Sequence, residues 1–162
     1  MAKKIVLETR SEPAFYTVIG ISCHLMDYRL LFEFNKKLDF NFIKENDFKS
    51  SVLSGGNNSS FSFYINKDED QRLTYYLLSN RGQEGLLFPK LKQADFILII
   101  EGILKKQKKE NFISSVQTIP KVLTAYEIKQ TELKNLESFL IDLELHIMQI
   151  NKESKQKNQP KT

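Results

Sequence analysis

Apolar positions along the chain follow three distinct patterns. The first is an unbroken run, Phe96-Ile97-Leu98-Ile99-Ile100. Glu101-Gly102 follows, then a lysine-rich helix from about Leu104 to Thr118, Ile119-Pro120, and a second β-prone run from Val122 to Ile128. That is strand, helix and strand in about the minimum length of a parallel crossover. Phe112, Ile113 and Val116 form the helix's apolar face. Pro120 stops the helix, because proline disfavours the helical conformation in the residue before it. The second pattern has period two. Phe61, Phe63 and Ile65 alternate with Ser62, Tyr64 and Asn66, and Leu73 to Leu78 returns after Asp68-Glu69-Asp70. This is a hairpin with one buried face. The third is helical: Leu133, Leu136, Leu140, Leu143, Ile147 and Ile150 are spaced three, four, three, four, three. That heptad spacing predicts a long helix with one apolar seam, capped by Thr131.

Weaker patterns fill the rest. Lys4 to Glu8 reads as an edge strand and Phe15 to Ile21 as a second strand. Ser22 then has the side chain to cap a helix ending near Leu38, whose apolar face is Leu31, Phe34 and Leu38 with Tyr28 and Leu30. Phe40, Phe42 and Ile43 read as a short strand, and Lys49 to Ser60 as a loop rich in turn formers. Together these elements predict an α+β domain over residues 1–130, a mostly antiparallel sheet with helices packed on one face. The nearest named arrangement is a ferredoxin-like or ACT-like split crossover. A C-terminal amphipathic helix, 131–151, and a disordered basic tail, 152–162, complete the expected organisation.

Composition changes this picture little. The 162 residues are 41% hydrophobic and 27% charged, ordinary for one domain, and twelve Phe and six Tyr supply large core pieces in the absence of Trp. A single cysteine excludes an intramolecular disulfide framework. The N-terminal apolar run, Ile5-Val6-Leu7, is shorter than a secretory signal requires. No run reaches the length of a membrane span. A cytoplasmic location is expected. The net charge of +4 hints at nucleic acid, but residues 152–162 hold four lysines and one glutamate, so most of the excess lies in the tail.

Several stretches resemble the family named IPExxxVDY after a motif near its C-terminus. They are Ile19 to Ser22, Asp27 to Leu30, Gly85-Leu86-Leu87-Phe88-Pro89, Leu91 to Asp95, and Ile119-Pro120 through Ala125-Tyr126. Lys121 stands where the name has Glu, Ala125 where it has Val, and Tyr126 follows with no intervening Asp. The resemblance implies a small cytoplasmic protein of Bacteroidetes-type bacteria. No activity or functional residue carries over from it.

Candidate chemistry is sparse. Cys23-His24 looks like a nucleophile beside a base, but neighbouring side chains point apart. Two histidines, His24 and His146, and one cysteine are too few for a usual zinc site, so no metal and no cofactor are expected. Asp27, Glu101 and Glu127 are the carboxylates that could converge for acid–base work. Gly102 stands between strand and helix, where a helix N-terminus can hold an anion. Asp27, Tyr28 and Arg29 form a polar cluster at the first helix, suited to anchoring it or to meeting a ligand or partner. Lys105, Lys106, Lys108 and Lys109 form the densest basic patch. The heptad seam, Leu140, Leu143, Ile147 and Ile150, is the expected homodimer contact near the helix end. The expected function is a non-enzymatic interaction or regulatory domain with a protein partner or a second copy of itself. The alternative is a nucleic-acid- or ribosome-associated protein binding through Lys105–Lys109 and the lysine tail. An enzyme ranks third.

Overall fold

The computed structural model describes residues 16–49, 59–82, 85–133 and 135–157. The strand expected at Lys4–Glu8 and most of the loop expected at Lys49–Ser60 lie outside these residues. Chain order is β1 (Tyr16–Cys23), α1 (Asp27–Lys37), β2 (Ile43–Lys49), β3 (Ser60–Asp68), β4 (Leu73–Ser79), a small ribbon of β5 (Arg81–Gly82) and β6 (Gly85–Leu86), β7 (Phe96–Glu101), α2 (Lys106–Gln117), β8 (Val122–Ile128) and α3 (Leu136–Lys157). The main sheet has six strands in the order β2-β3-β4-β7-β1-β8, and every pairing is antiparallel. The fold is α+β. β7 and β8 flank β1 and both run antiparallel to it, so they are parallel to each other, with α2 connecting them.

Helices cover both faces, not one. Ile19, Ile21, Leu98 and Ile100 pack with Leu30, Leu31 and Phe34 of α1 and with Val116 of α2. Val18, Ile97, Ile99, Phe61 and Phe63 pack with Leu136, Phe139 and Leu143 of α3. The unbroken apolar run of β7 follows from this: a central strand buried on both sides has no polar face. Each fully buried side chain of this size contributes about 1.5–3 kcal/mol. Gly20 sits inside β1 because Tyr126 lies across it, with a Cβ there only 3.0 Å from the ring.

Several local expectations change. Ser22 belongs to β1 and hydrogen-bonds the Gln93 carbonyl instead of capping a helix. α1 starts at Asp27 with Met26 as its uncapped N-cap. The strand expected at Phe40–Ile43 begins only at Ile43 and runs on to Lys49, with a register shift between Glu45 and Phe48. Thr131 lies in a separate 3-10 turn, Gln130–Glu132, and α3 begins at Leu136. The helix also continues past residue 151 to Lys157, where a disordered tail was expected. The remaining residues of that tail, 158–162, lie outside the described residues.

Candidate interaction surfaces

The polar residues singled out from sequence do not assemble into one site. Cys23 is buried in the α1/α2 side of the core while His24 is exposed, so the two side chains part. Burial pushes the Cys23 thiol up, with the Asp95 charge adding to it against a hydrogen bond to Leu25, which disfavours the nucleophilic thiolate.

The three carboxylates are held apart. Tyr64 donates to Asp27 at 2.8 Å, tying α1 to β3, and the Tyr28 amide donates to the other Asp27 oxygen at 2.7 Å. Burial pushes Asp27 up, but the hydrogen bonds from Tyr64, Ser62 and the Tyr28 amide, with Lys44 nearby, outweigh it and hold the carboxyl below its ordinary value. Glu101 accepts from Tyr76 at 2.6 Å on the α3 face, and Glu127 pairs with Lys109 at 3.0 Å. Tyr16 stands opposite Glu101 in the sheet and donates to Glu144 of α3 at 3.3 Å. Burial first, then Glu101, pushes both Tyr76 and Tyr16 well above the usual phenol range. The Tyr16–Glu144 bond clamps α3 to the sheet. His146 does the same at the bulge of β2, donating from Nε2 to the Asn46 carbonyl at 2.9 Å with its ring edge-on to Phe48 and Phe63.

Gly102 is explained by packing. Its φ is +131°, and a Cβ there would lie 2.7 Å from the Arg72 carbonyl. Helix α2 begins only at Lys106, so the glycine is not at the helix N-terminus.

The lysine patch divides. Lys105, Lys106 and Lys108 are exposed, Lys108 donating to Gln71 at 2.7 Å, whereas half-buried Lys109 is taken by Glu127. Among the described residues no group of His, Cys, Asp or Glu could hold a metal ion, and no helix is long and apolar enough to cross a membrane. A cavity of about 260 Å³ opens between β2, β3 and the C-terminal half of α3, with Ile65, Tyr76 and Ile147 in its walls and Asn41, Glu45 and Asn151 at its rim.

The expected dimer seam is occupied within the chain. Leu143 and Ile150 are buried in the chain's own core, and Leu140 and Ile147 pack half-buried against it. The core already takes up Leu143 and Ile150, whereas Leu140 and Ile147 stay partly exposed. The residues left outside are Ile141, Leu145 and Met148.

On α1, Tyr28 is not part of the buried face but 63% exposed, and Phe32, one turn on, is 57% exposed. Arg29 and Lys36 are exposed beside them, and the Lys36 ammonium sits 5.6 Å above the Phe32 ring. At 100° per residue these four side chains share one sector of the helix, away from Leu30, Leu31 and Phe34. The i, i+4 spacing of Tyr28 and Phe32 was the available signal for this strip.

Sequence gives almost no signal for the most connected polar residue. Asn80 is fully buried at the end of β4. Its Nδ2 donates to the Leu91 and Ala94 carbonyls at 2.9 Å each, and its Oδ1 accepts from the Phe88 amide at 2.7 Å. Asp95 continues the network, accepting from the Cys23 amide at 2.9 Å and from Arg81 at 2.7 Å. The stretch 85–95 is thus held by Asn80 and Asp95. No family model matches this chain, and no curated protein matches it.

Proposed function

We propose that this chain is a small, non-enzymatic cytoplasmic interaction or regulatory domain, and that the outer strip of α1 meets a protein partner. The observation that carries this reading is the exposed alternation of Tyr28, Arg29, Phe32 and Lys36 on one side of a helix whose other side is core. Two aromatic rings flanked by two cations fit an acidic segment that also carries apolar side chains; aromatic residues and Arg are the residue types enriched where partners bury surface. Asp27 takes no part in the strip, since it is already committed to Tyr64. Resemblance to the IPExxxVDY family belongs to the same proposal; two of the stretches that carry it, 85–89 and 91–95, lie in the segment held by Asn80.

The test is affinity capture from the native cell at two salt concentrations, with wild type beside a Tyr28→Ser/Phe32→Ser variant. One protein retained at both salts by wild type and lost by the variant is the expected result. Retention that is unchanged in the variant and vanishes with salt overturns it.

That second outcome favours nucleic-acid or ribosome association through the lysines. The observation behind this alternative is that Lys105, Lys106, Lys152 and Lys155 are exposed and, among the described residues, form no ion pair with a carboxylate. Each neutralised phosphate would release counterions, so binding would fall steeply with salt. Deleting residues 152–162 and replacing Lys105, Lys106, Lys108 and Lys109 with glutamine should then abolish retention on a phosphate resin.

A further inference from the structure

The outer face of α3 carries Ile141, Leu145 and Met148, exposed by 58%, 58% and 65%. These positions span a sector of about 60° on a helix of 3.6 residues per turn. That sector points away from Phe139, Leu143 and Ile150, which the chain's own sheet covers. The stripe ends in opposite charges on the same side of the helix: exposed Glu137 one turn before Ile141, and exposed Lys152 one turn after Met148.

The order of these residues is self-complementary. Glu137 and Lys152 are equidistant in sequence from the point between Glu144 and Leu145, and so are Ile141 and Met148. A two-fold axis through that point, with two helices antiparallel, sets Glu137 against Lys152 of the second copy at both ends. It sets Ile141 against Met148 of the second copy, and Leu145 beside its own symmetry mate. A parallel pairing would instead oppose like charges at each end, which disfavours it.

From this charge complementarity we infer that the outer face of α3 is a homodimer surface, closed by antiparallel pairing of Ile141, Leu145 and Met148 between two Glu137–Lys152 ion pairs. An isologous contact of this kind closes on itself and leaves no open end for polymerisation. One helix face of roughly 22 Å, at 1.5 Å rise per residue, buries less than a standard interface, so the dimer is concentration-dependent. The inference rests on the reading of the chain as an interaction domain and names the partner of its second surface.

Sedimentation equilibrium on the purified full chain tests it. Wild type should shift from monomer to dimer across the micromolar range. Glu137→Lys and Lys152→Glu should each weaken dimerisation by about tenfold, and the double charge swap should restore it to within about threefold, as coupled charges at an interface do. Leu145→Asp should be monomeric, with an unchanged circular dichroism spectrum because the side chain is solvent-exposed. Under mild oxidation Leu145→Cys in a Cys23→Ser background should form an intermolecular disulfide. A wild type that stays monomeric at several hundred micromolar overturns the inference. So does a double swap no better than either single change. A monomer that still captures a partner through α1 would remove this inference and leave the proposed function standing. A dimer that captures no partner would do the reverse.

Discussion

Replacing Asn80 with alanine should destabilise the fold more than any exposed ion-pair change in the same network. Asn80 is 0% exposed, and its amide makes three hydrogen bonds to backbone groups of the 85–95 segment. Alanine leaves the Phe88 amide and the Ala94 carbonyl unpaired in buried surroundings, while the Leu91 carbonyl keeps its bond from the Ala94 amide at 3.1 Å. A buried group stripped of its partner costs about 1–3 kcal/mol, so two such groups give about 2–6 kcal/mol. That is a large fraction of a typical stability of about 5–15 kcal/mol. At about 2–4 °C per kcal/mol for a chain of this size, the Tm should fall by about 10 °C or more. Arg81→Ala provides the comparison. Its ion pair to Asp95 is 2.7 Å long, but the Arg81 side chain is 54% exposed, and such a pair is worth under about 1 kcal/mol. Asn80→Asp separates geometry from chemistry. It keeps the acceptor for Phe88 but turns both donated bonds into contacts between a carboxylate and two carbonyls, so it should be at least as damaging as alanine. Urea unfolding followed by circular dichroism measures all three. If Asn80→Ala costs under 1 kcal/mol, or no more than Arg81→Ala, the segment is not held by Asn80 and the network argument fails.

Gly102→Ala should cost about 2–3 kcal/mol, because its φ of +131° disfavours a side chain and the new Cβ would meet the Arg72 carbonyl at 2.7 Å; calorimetry showing no loss of Tm would count against the packing explanation. Leu143→Asn should unfold the monomer, whereas Leu145→Asn should leave its Tm within about 1 °C, since the first side chain is 0% exposed and the second lies on the outer face. Equal effects of the two would mean α3 is turned differently on the sheet. Stability should fall as pH rises above 10.0: the raised folded pKa of Tyr76 means that unfolded Tyr76 ionises there while the folded phenol resists, so its stabilisation is complete below 10.0 and lost above it. Tyr76→Phe should flatten that alkaline slope in urea midpoints measured from about pH 8 to 11. Asp27 acts at the other end, with a folded pKa below 3.8; its contribution is present above that value and is lost as pH falls below it, so Asp27→Asn should reduce acid sensitivity.

Local periodicity carried most of the element list. The run Phe96–Ile100, the alternation of Phe61, Phe63 and Ile65, and the heptads of Leu136 to Ile150 each report a face that must leave water, and each became a strand or helix with that face buried. The period says that a face is buried and leaves open what buries it. Leu140, Leu143, Ile147 and Ile150 fit a second helix as well as they fit a sheet, and only the tertiary arrangement put the sheet beneath them and Ile141, Leu145 and Met148 outside. The same holds for the polar residues. Ser22 meets Gln93, 71 positions away, and the Cys23 amide meets Asp95, 72 away. Bonds from a side chain to a distant backbone group depend on how the strands align and leave no periodic trace, so no local pattern marks Asn80. Asp27, Glu101 and Glu127 were compatible with a shared site until the sheet put Glu101 on the α3 face, away from Asp27, which is tied to α1, and from Glu127, which is tied to α2. Sequence determined the elements because the hydrophobic effect acts on each segment's own pattern, and tertiary structure decided partners and roles because those depend on distances between segments that no local pattern contains.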